Sequence, residues 1–235
     1  MRNIIIASSS STHKSSYLEY LLEDLKSFFS NTTEILFIPF ARPSGISHDD
    51  YTKTVREAFS KIDKKVVGLH TFQNKTEAIN NAKAIFVGGG NTFVLTNMLY
   101  KSNIINTLKE VVNNGTPYLG TSAGSNICGL TIKTTNDMPI VYPPSFNALS
   151  LVPFNINPHY LDPNTSSTHM GETRETRIKE FHNFNTQPVV GLREGSWLHV
   201  KGNSIILRGE LTARIFEYNK KPYEVKTGTE LNTLN

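Results

Sequence analysis

The stretch Pro117-Tyr118-Leu119-Gly120-Thr121-Ser122-Ala123-Gly124 decides how the chain is read. Its first residues form a short apolar run of the kind buried in a sheet, and the run ends in Gly-x-Ser-x-Gly. A serine on a sharp strand-to-helix turn takes a strained backbone, and glycines on either side remove the clashes that side chains would cause. Such a turn lifts the Ser122 hydroxyl away from the sheet and aims the following N–H groups into the same space. The pattern alone also fits a tight turn of small residues, or a helix start that binds an anion. Its position at the end of a strand is what points to a nucleophile.

Upstream of this turn, short runs rich in β-branched residues alternate with longer helical patterns. Residues 4–7, 35–38, 66–69 and 84–87 read as strands, the second stopped by Pro39. Residues 17–29, 50–62 and 76–82 carry apolar side chains at helical spacing, and 92–112 reads as helix in one or two pieces. Continuous apolar strands alternating with helices imply an α/β fold, with a mostly parallel sheet covered by helices on both faces. The last third changes character: 189–192, 196–200, 204–207 and 213–216 are short strands separated by Gly and Asn turns. These predict antiparallel hairpins at one edge of the sheet.

The bulk numbers fit this picture. A chain of 235 residues suits one domain, 1–235, with a full core. With 38% hydrophobic and 19% charged residues it falls far from the disordered class. The net charge of +4 comes from 24 scattered basic residues, with Lys64-Lys65 and Lys220-Lys221 the nearest approach to a cluster. A nucleic-acid face needs a contiguous basic patch, so no nucleic-acid partner is expected. The single cysteine, Cys128, permits no intramolecular disulfide and fits a reducing compartment. The opening run Ile4-Ile5-Ile6 is short for a signal peptide, and no run approaches the roughly 18 apolar residues of a membrane span. A cytoplasmic protein without a membrane partner is expected, as a monomer or a homodimer.

The second chemical motif is Gly88-Gly89-Gly90-Asn91-Thr92, also at a strand end. Successive glycines let the backbone approach a ligand and present N–H donors to an oxyanion. The loop lacks the spacing of a dinucleotide fingerprint and the Gly-Lys-Ser/Thr ending of a P-loop, so nucleotide binding has no support. Loops at the carboxyl ends of neighbouring parallel strands share one crevice, which brings this loop to Ser122.

A serine hydroxyl needs a base, and seven histidines compete. His13, His48, His70, His182 and His199 lie in polar loops, at strand ends, or inside helix and hairpin patterns. His159 and His169 lie in the loop-like segment 153–171, where catalytic groups are commonly presented. The group that orients the imidazole could be Asp137, Asp162, Glu172 or Glu194, and spacing does not choose among them.

Five motifs in order then show a resemblance. Val87-Gly88-Gly89-Gly90-Asn91-Thr92-Phe93, Gly120-Thr121-Ser122-Ala123-Gly124-Ser125-Asn126, Asn157-Pro158-His159, Gly171-Glu172-Thr173-Arg174-Glu175 and Gly191-Leu192-Arg193-Glu194-Gly195-Ser196-Trp197 resemble the peptidase E family of α-aspartyl dipeptidases, over nearly the whole chain. The resemblance implies a fold related to class I glutamine amidotransferases, with serine in place of their cysteine. It implies cleavage of small acidic dipeptides, Asp-Xaa, without a metal or other cofactor. It makes Ser122 the nucleophile and His159 the base, and leaves the acid between Asp137 and Glu194. In the mechanism this suggests, the backbone N–H groups of Ala123 and of Gly89 or Gly90 are expected to stabilise the oxyanion. Arg174 would take the substrate β-carboxylate, and Asn91 joins the substrate-binding set.

Two rivals stay open at this point. One is a cyanophycinase-like or β-aspartyl peptide hydrolase built on the same serine turn. The other is a non-catalytic binder of acidic metabolites. A glutamine amidotransferase needs a thiolate, whereas Cys128 lies past the turn in an apolar helix start, where a buried structural role is expected.

Overall fold

The computed structural model describes residues 1–43, 45–163, 166, 168 and 170–234. Strands β1 (Asn3–Ala7), β2 (Glu34–Ile38), β3 (Lys65–Gly68), β4 (Ile85–Val87) and β5 (Tyr118–Thr121) run parallel in the order β3-β2-β4-β5-β1. Successive side chains of a strand point to opposite faces, and here both faces are buried. Ile4, Ile6, Leu36, Ile38, Ile85, Val87 and Tyr118 enter one apolar cluster. Ile5, Ala7, Ile35, Phe37, Phe86 and Leu119 enter the other.

Helices α1 (Leu22–Phe28) and α2 (His48–Ser60) cover the second cluster through Leu25, Tyr51, Val55 and Phe59. Helices α3 (Lys75–Asn81), α4 (Thr92–Lys101), α5 (Ile105–Asn113) and the one-turn α6 (Ala123–Asn126) cover the first. Ser47, Asn74 and Asn91 cap α2, α3 and α4, each side chain accepting from an N–H three residues on, which satisfies one of the orphan donors of each first turn.

The helical pattern over 17–29 is only partly a helix. Leu18 is left-handed, with φ 59°, and donates its N–H to Ser10 O at 2.6 Å; a 3₁₀ turn, Glu19–Leu21, then leads into α1. The pattern over 92–112 divides into α4 and α5 where Asn103 turns left-handed at φ 54°.

The C-terminal strands divide between two sheets. β8 (Ser196–Lys201) and β9 (Ser204–Gly209) form the expected antiparallel hairpin and add to the edge of the parallel sheet beside β1. β7 (Val189–Leu192) and β10 (Ala213–Phe216) instead join β6 (Asn155–Pro158) and β11 (Tyr223–Val225) in a second sheet, ordered β11-β10-β7-β6. That sheet sends Ile156, Val190, Leu192, Ala213 and Ile215 into the first cluster. β6 lies inside the stretch read as loop. Its asparagines hide it: Asn155 and Asn157 are buried where a strand pattern calls for apolar residues. Their side-chain polar atoms are paired except Asn157 Oδ1, which has no partner among the described residues. Asn155 Oδ1 accepts Thr131 N–H at 2.8 Å, and Asn157 Nδ2 donates to Thr134 O and Asn136 Oδ1, both at 2.8 Å. α7 (Arg174–Phe181) follows. No helix among the described residues is long and apolar enough to cross a membrane.

α6 packs against β4 so closely that a β-carbon on Gly124 would stand 2.2 Å from Val87 O. Val87 O is a backbone atom and the backbone fixes where the β-carbon stands, so relief requires moving the turn. Gly124→Ala is expected to cost about 2 kcal/mol or more in stability, read as a lowered urea midpoint. An unchanged midpoint would show that the turn is loose.

Candidate active site

Ser122, His159 and Glu194 gather at the carboxyl ends of strands from both sheets. Ser122 follows β5 with φ 52° and ψ −110°, a combination that L-residues adopt only when their surroundings impose it. Ser122 N–H donates to Ala7 O at 3.2 Å. Ser125 Oγ reaches both Ala7 O, at 2.6 Å, and Gly120 O, at 2.7 Å. Tyr118 Oη donates to Gly124 O at 2.7 Å. The turn is therefore tied to β1, to β5 and to its own helix. The glycine loop lies against it: a β-carbon on Gly89 would stand 3.0 Å from Ser122 Cβ. The N–H groups of Gly89, Gly90 and Ala123 donate to no atom among the described residues.

His159 follows β6 and is also left-handed, at φ 52°. Its N–H donates to Ser8 Oγ at 2.9 Å, and Ser8 Oγ in turn donates to Leu192 O at 2.7 Å. Asn136 Nδ2 holds the preceding carbonyl, Pro158 O, at 2.6 Å. So fixed, the imidazole places Nε2 2.8 Å from Ser122 Oγ and Nδ1 2.6 Å from Glu194 Oε1. A carboxylate only accepts, which puts the proton on Nδ1 and leaves Nε2 free to accept from the serine hydroxyl.

Glu194 sits where the chain crosses from β7 in the second sheet to β8 in the first. The crossing is a tight turn: Ser196 N–H donates to Arg193 O at 3.1 Å, and Gly195 has φ 83°. Arg193 anchors it from the other side, forking onto Asp162 at 2.7 and 2.8 Å and reaching Glu224 at 2.9 Å. Asp162 is thereby engaged away from the imidazole. Glu172 faces Arg177 at 3.7 Å.

Asp137 stands elsewhere. Its Oδ2 accepts Thr92 N–H at 2.7 Å, and the Thr135 hydroxyl lies 3.1 Å away; a carboxylate at the start of α4 is favoured by the free N–H groups there. The side chain of Asn91, expected on the substrate, is engaged at both ends within the chain. Oδ1 accepts from Val94 N–H at 3.1 Å and Nδ2 donates to Met138 O at 2.9 Å. Arg174 opens α7 behind the cap Thr173 and is half-buried. Burial and Arg177 push its pKa down, and the nearby Asp137 opposes them.

Of the other histidines, His70 faces Asp49, His182 faces Gln187 O, and His199 faces Asn3; His13 is exposed and His48 opens α2. His169 lies outside the described residues. Cys128 is buried, donates to Gly124 O at 3.3 Å, and burial pushes its thiol up to about 12. At neutral pH it is protonated and unreactive. Among the described residues no group of His, Cys, Asp or Glu side chains converges in a way that could hold a metal ion.

The sequence marks no role for Ser8 or Asn136, since a serine after a strand and an asparagine in a polar run carry no local signature, and Arg193 stands in a quoted motif without an assigned part. Tyr51 belongs with them: its hydroxyl donates to Gly89 O at 3.2 Å and meets Tyr17 Oη at 3.2 Å. Ser8→Ala removes both hydrogen bonds of a buried hydroxyl and leaves the His159 N–H without its acceptor. The expected cost is about 1–3 kcal/mol, measured by urea denaturation; wild-type stability in the variant would contradict the anchoring role.

Fold and geometry define a class: α/β hydrolytic enzymes with a serine at the carboxyl end of a central parallel strand. The chain belongs to peptidase family S51, whose model matches residues 4–208, and it is a peptidase. A protein of Drosophila melanogaster described as a probable alpha-aspartyl dipeptidase is 48% identical, over 99% of this chain and 97% of its own. Peptidase E of Streptomyces coelicolor is 45% identical, over 99% and 94%. Two solved structures share the fold. A peptidase from an acI-B1 actinobacterium has a TM-score of 0.74 at 16% identity, covering 98% of this chain and 96% of that one. A putative peptidase E from Listeria monocytogenes has a TM-score of 0.68 at 22% identity, covering 89% and 98%.

Proposed function

We propose that the chain hydrolyses dipeptides that begin with aspartate, through Ser122, His159 and Glu194. The observation that carries this reading is the imidazole of His159, held between the hydroxyl of a strained serine and a carboxylate at 2.8 and 2.6 Å. His159 Nε2 takes the Ser122 proton as Oγ attacks the peptide carbonyl, and it then gives that proton to the leaving amine. Water attacks the resulting aspartyl ester by the reverse route. The N–H of Ala123 and that of Gly89 or Gly90 stabilise the tetrahedral oxyanion. Glu194 holds the Nδ1–H tautomer and stabilises the imidazolium.

The aspartyl preference follows from Arg174. A guanidinium pairs both oxygens of the substrate β-carboxylate, whereas an asparagine amide leaves it incompletely paired. Asp137, within electrostatic reach of Arg174, adds a negative group suited to the free α-ammonium. The Drosophila relative, described as a probable alpha-aspartyl dipeptidase, carries a name that fits this substrate.

Ser122→Ala is expected to lower kcat for Asp-Leu by about 10⁴-fold or more without unfolding the chain. Substantial turnover by the folded variant would sink the proposal. Glu194→Gln should lower kcat by about 10²–10⁴-fold, while Asp137→Asn acts mainly on KM; steady-state kinetics showing the opposite pattern would make Asp137 the orienting acid. Arg174→Ala should reduce kcat/KM for Asp-Leu far more than for Asn-Leu, and an equal loss on both would remove Arg174 from specificity.

A further inference from the structure

An aspartyl dipeptide carries three charges near the scissile bond: the α-ammonium, the β-carboxylate and the α-carboxylate of the second residue. Arg174 and Asp137 answer the first two and leave the third without a partner. Asp137 sits on the Thr92 N–H at the start of α4, with Arg174 near it. Another cation stands beside the glycine loop. Arg42 follows Ala41, whose carbonyl accepts the Asn91 N–H at 2.7 Å and so abuts the glycine loop. Its guanidinium lies 5.0 Å over the ring of Tyr51. Tyr51 belongs to the cluster covered by α2 and donates to Gly89 O. Arg42 is exposed and forms no ion pair or hydrogen bond among the described residues. The other well-placed arginines, Arg193 and Arg214, are both saturated by carboxylates.

Resting on the aspartyl dipeptidase reading, we propose that Arg42 is a specificity-determining residue that binds the free α-carboxylate of the substrate's second residue. The glycine loop lies against Ser122, and the residue before Arg42 holds the same loop through the Asn91 N–H. A substrate whose carbonyl oxygen points at that loop sends its second residue onward by one residue, about 3.3–3.6 Å of extended chain. That places the terminal carboxylate within the sweep of an arginine anchored beside the loop. Stacking on Tyr51 restrains the guanidinium without consuming its donors, leaving a planar fork open to a carboxylate. Two arginines and one aspartate then complement a ligand with two carboxylates and one ammonium. A longer peptide has an amide where the dipeptide has its carboxylate, so Arg42 selects for dipeptides by chain length.

The test compares kcat/KM for Asp-Leu and for Asp-Leu-amide, which lacks the terminal charge, in wild-type, Arg42→Gln and Arg42→Lys proteins. Wild type is expected to favour the free acid. Arg42→Gln should lower kcat/KM for Asp-Leu on the order of tenfold, mainly through KM, since the site is open to solvent. It should leave the amide unchanged, so that the preference collapses, and Arg42→Lys should recover part of it. A preference that survives in Arg42→Gln, an equal loss on both substrates, or no preference in wild type overturns the proposal. Wild-type protein inactive on Asp-Leu would instead overturn the aspartyl reading on which this one rests.

Discussion

Everything at this site depends on a line of hydrogen bonds, Ser122 to His159 to Glu194, whose three members hang from different strand ends. Ser122 leaves β5 of the parallel sheet, His159 leaves β6 of the second sheet, and Glu194 lies where the chain passes from one sheet to the other. A hydrogen bond fails over a few tenths of an ångström, so the two sheets must hold a fixed relation for the line to exist. Ser8 supplies much of it. Standing at the end of β1, it joins the N–H of His159 to the carbonyl of Leu192, linking the first sheet to β6 and β7 at once. The shared apolar cluster does the rest, because side chains of both sheets interdigitate in it.

The strain in the backbone fits this view. Ser122 and His159 both hold positive φ values, which a non-glycine residue keeps only where the surrounding bonds outweigh the cost. At Ser122 the bonds of Ser125 and Tyr118 brace the turn. At His159 the bonds come from Ser8 and Asn136. In each case neighbouring polar groups hold it, and the serine hydroxyl and the imidazole nitrogens carry none of that duty. Arg193 serves Glu194 in the same way, tying its turn to Asp162 and Glu224. The carboxylate is left half-exposed and free to face the imidazole.

Much of this was legible in the sequence, for a physical reason. Strands buried on both faces must be continuously apolar, so β1, β2, β4 and β5 announce themselves, and glycine-flanked serine can mark a strained turn because few other residues fit there. β6 was illegible because its burial is polar: Asn155 and Asn157 are paid for by partners more than twenty residues away, at Thr131, Thr134 and Asn136. The division of the C-terminal strands between two sheets was hidden with it, since β7 takes its parallel partner from β6. The acid behind His159 could not be read from spacing either. Asp137 and Glu194 both follow polar or strand segments, and only three-dimensional proximity separates a helix-start carboxylate on Thr92 from one on the imidazole.

The central claim is that His159 activates Ser122 and no other side chain. Labelling with a serine-directed fluorophosphonate, mapped by mass spectrometry in wild-type and His159→Ala proteins, tests it most directly. The account predicts modification of Ser122 alone in wild type and loss of that labelling in the variant, with Cys128 untouched in both. Label on a different residue, or equally fast labelling of Ser122 without His159, would contradict it.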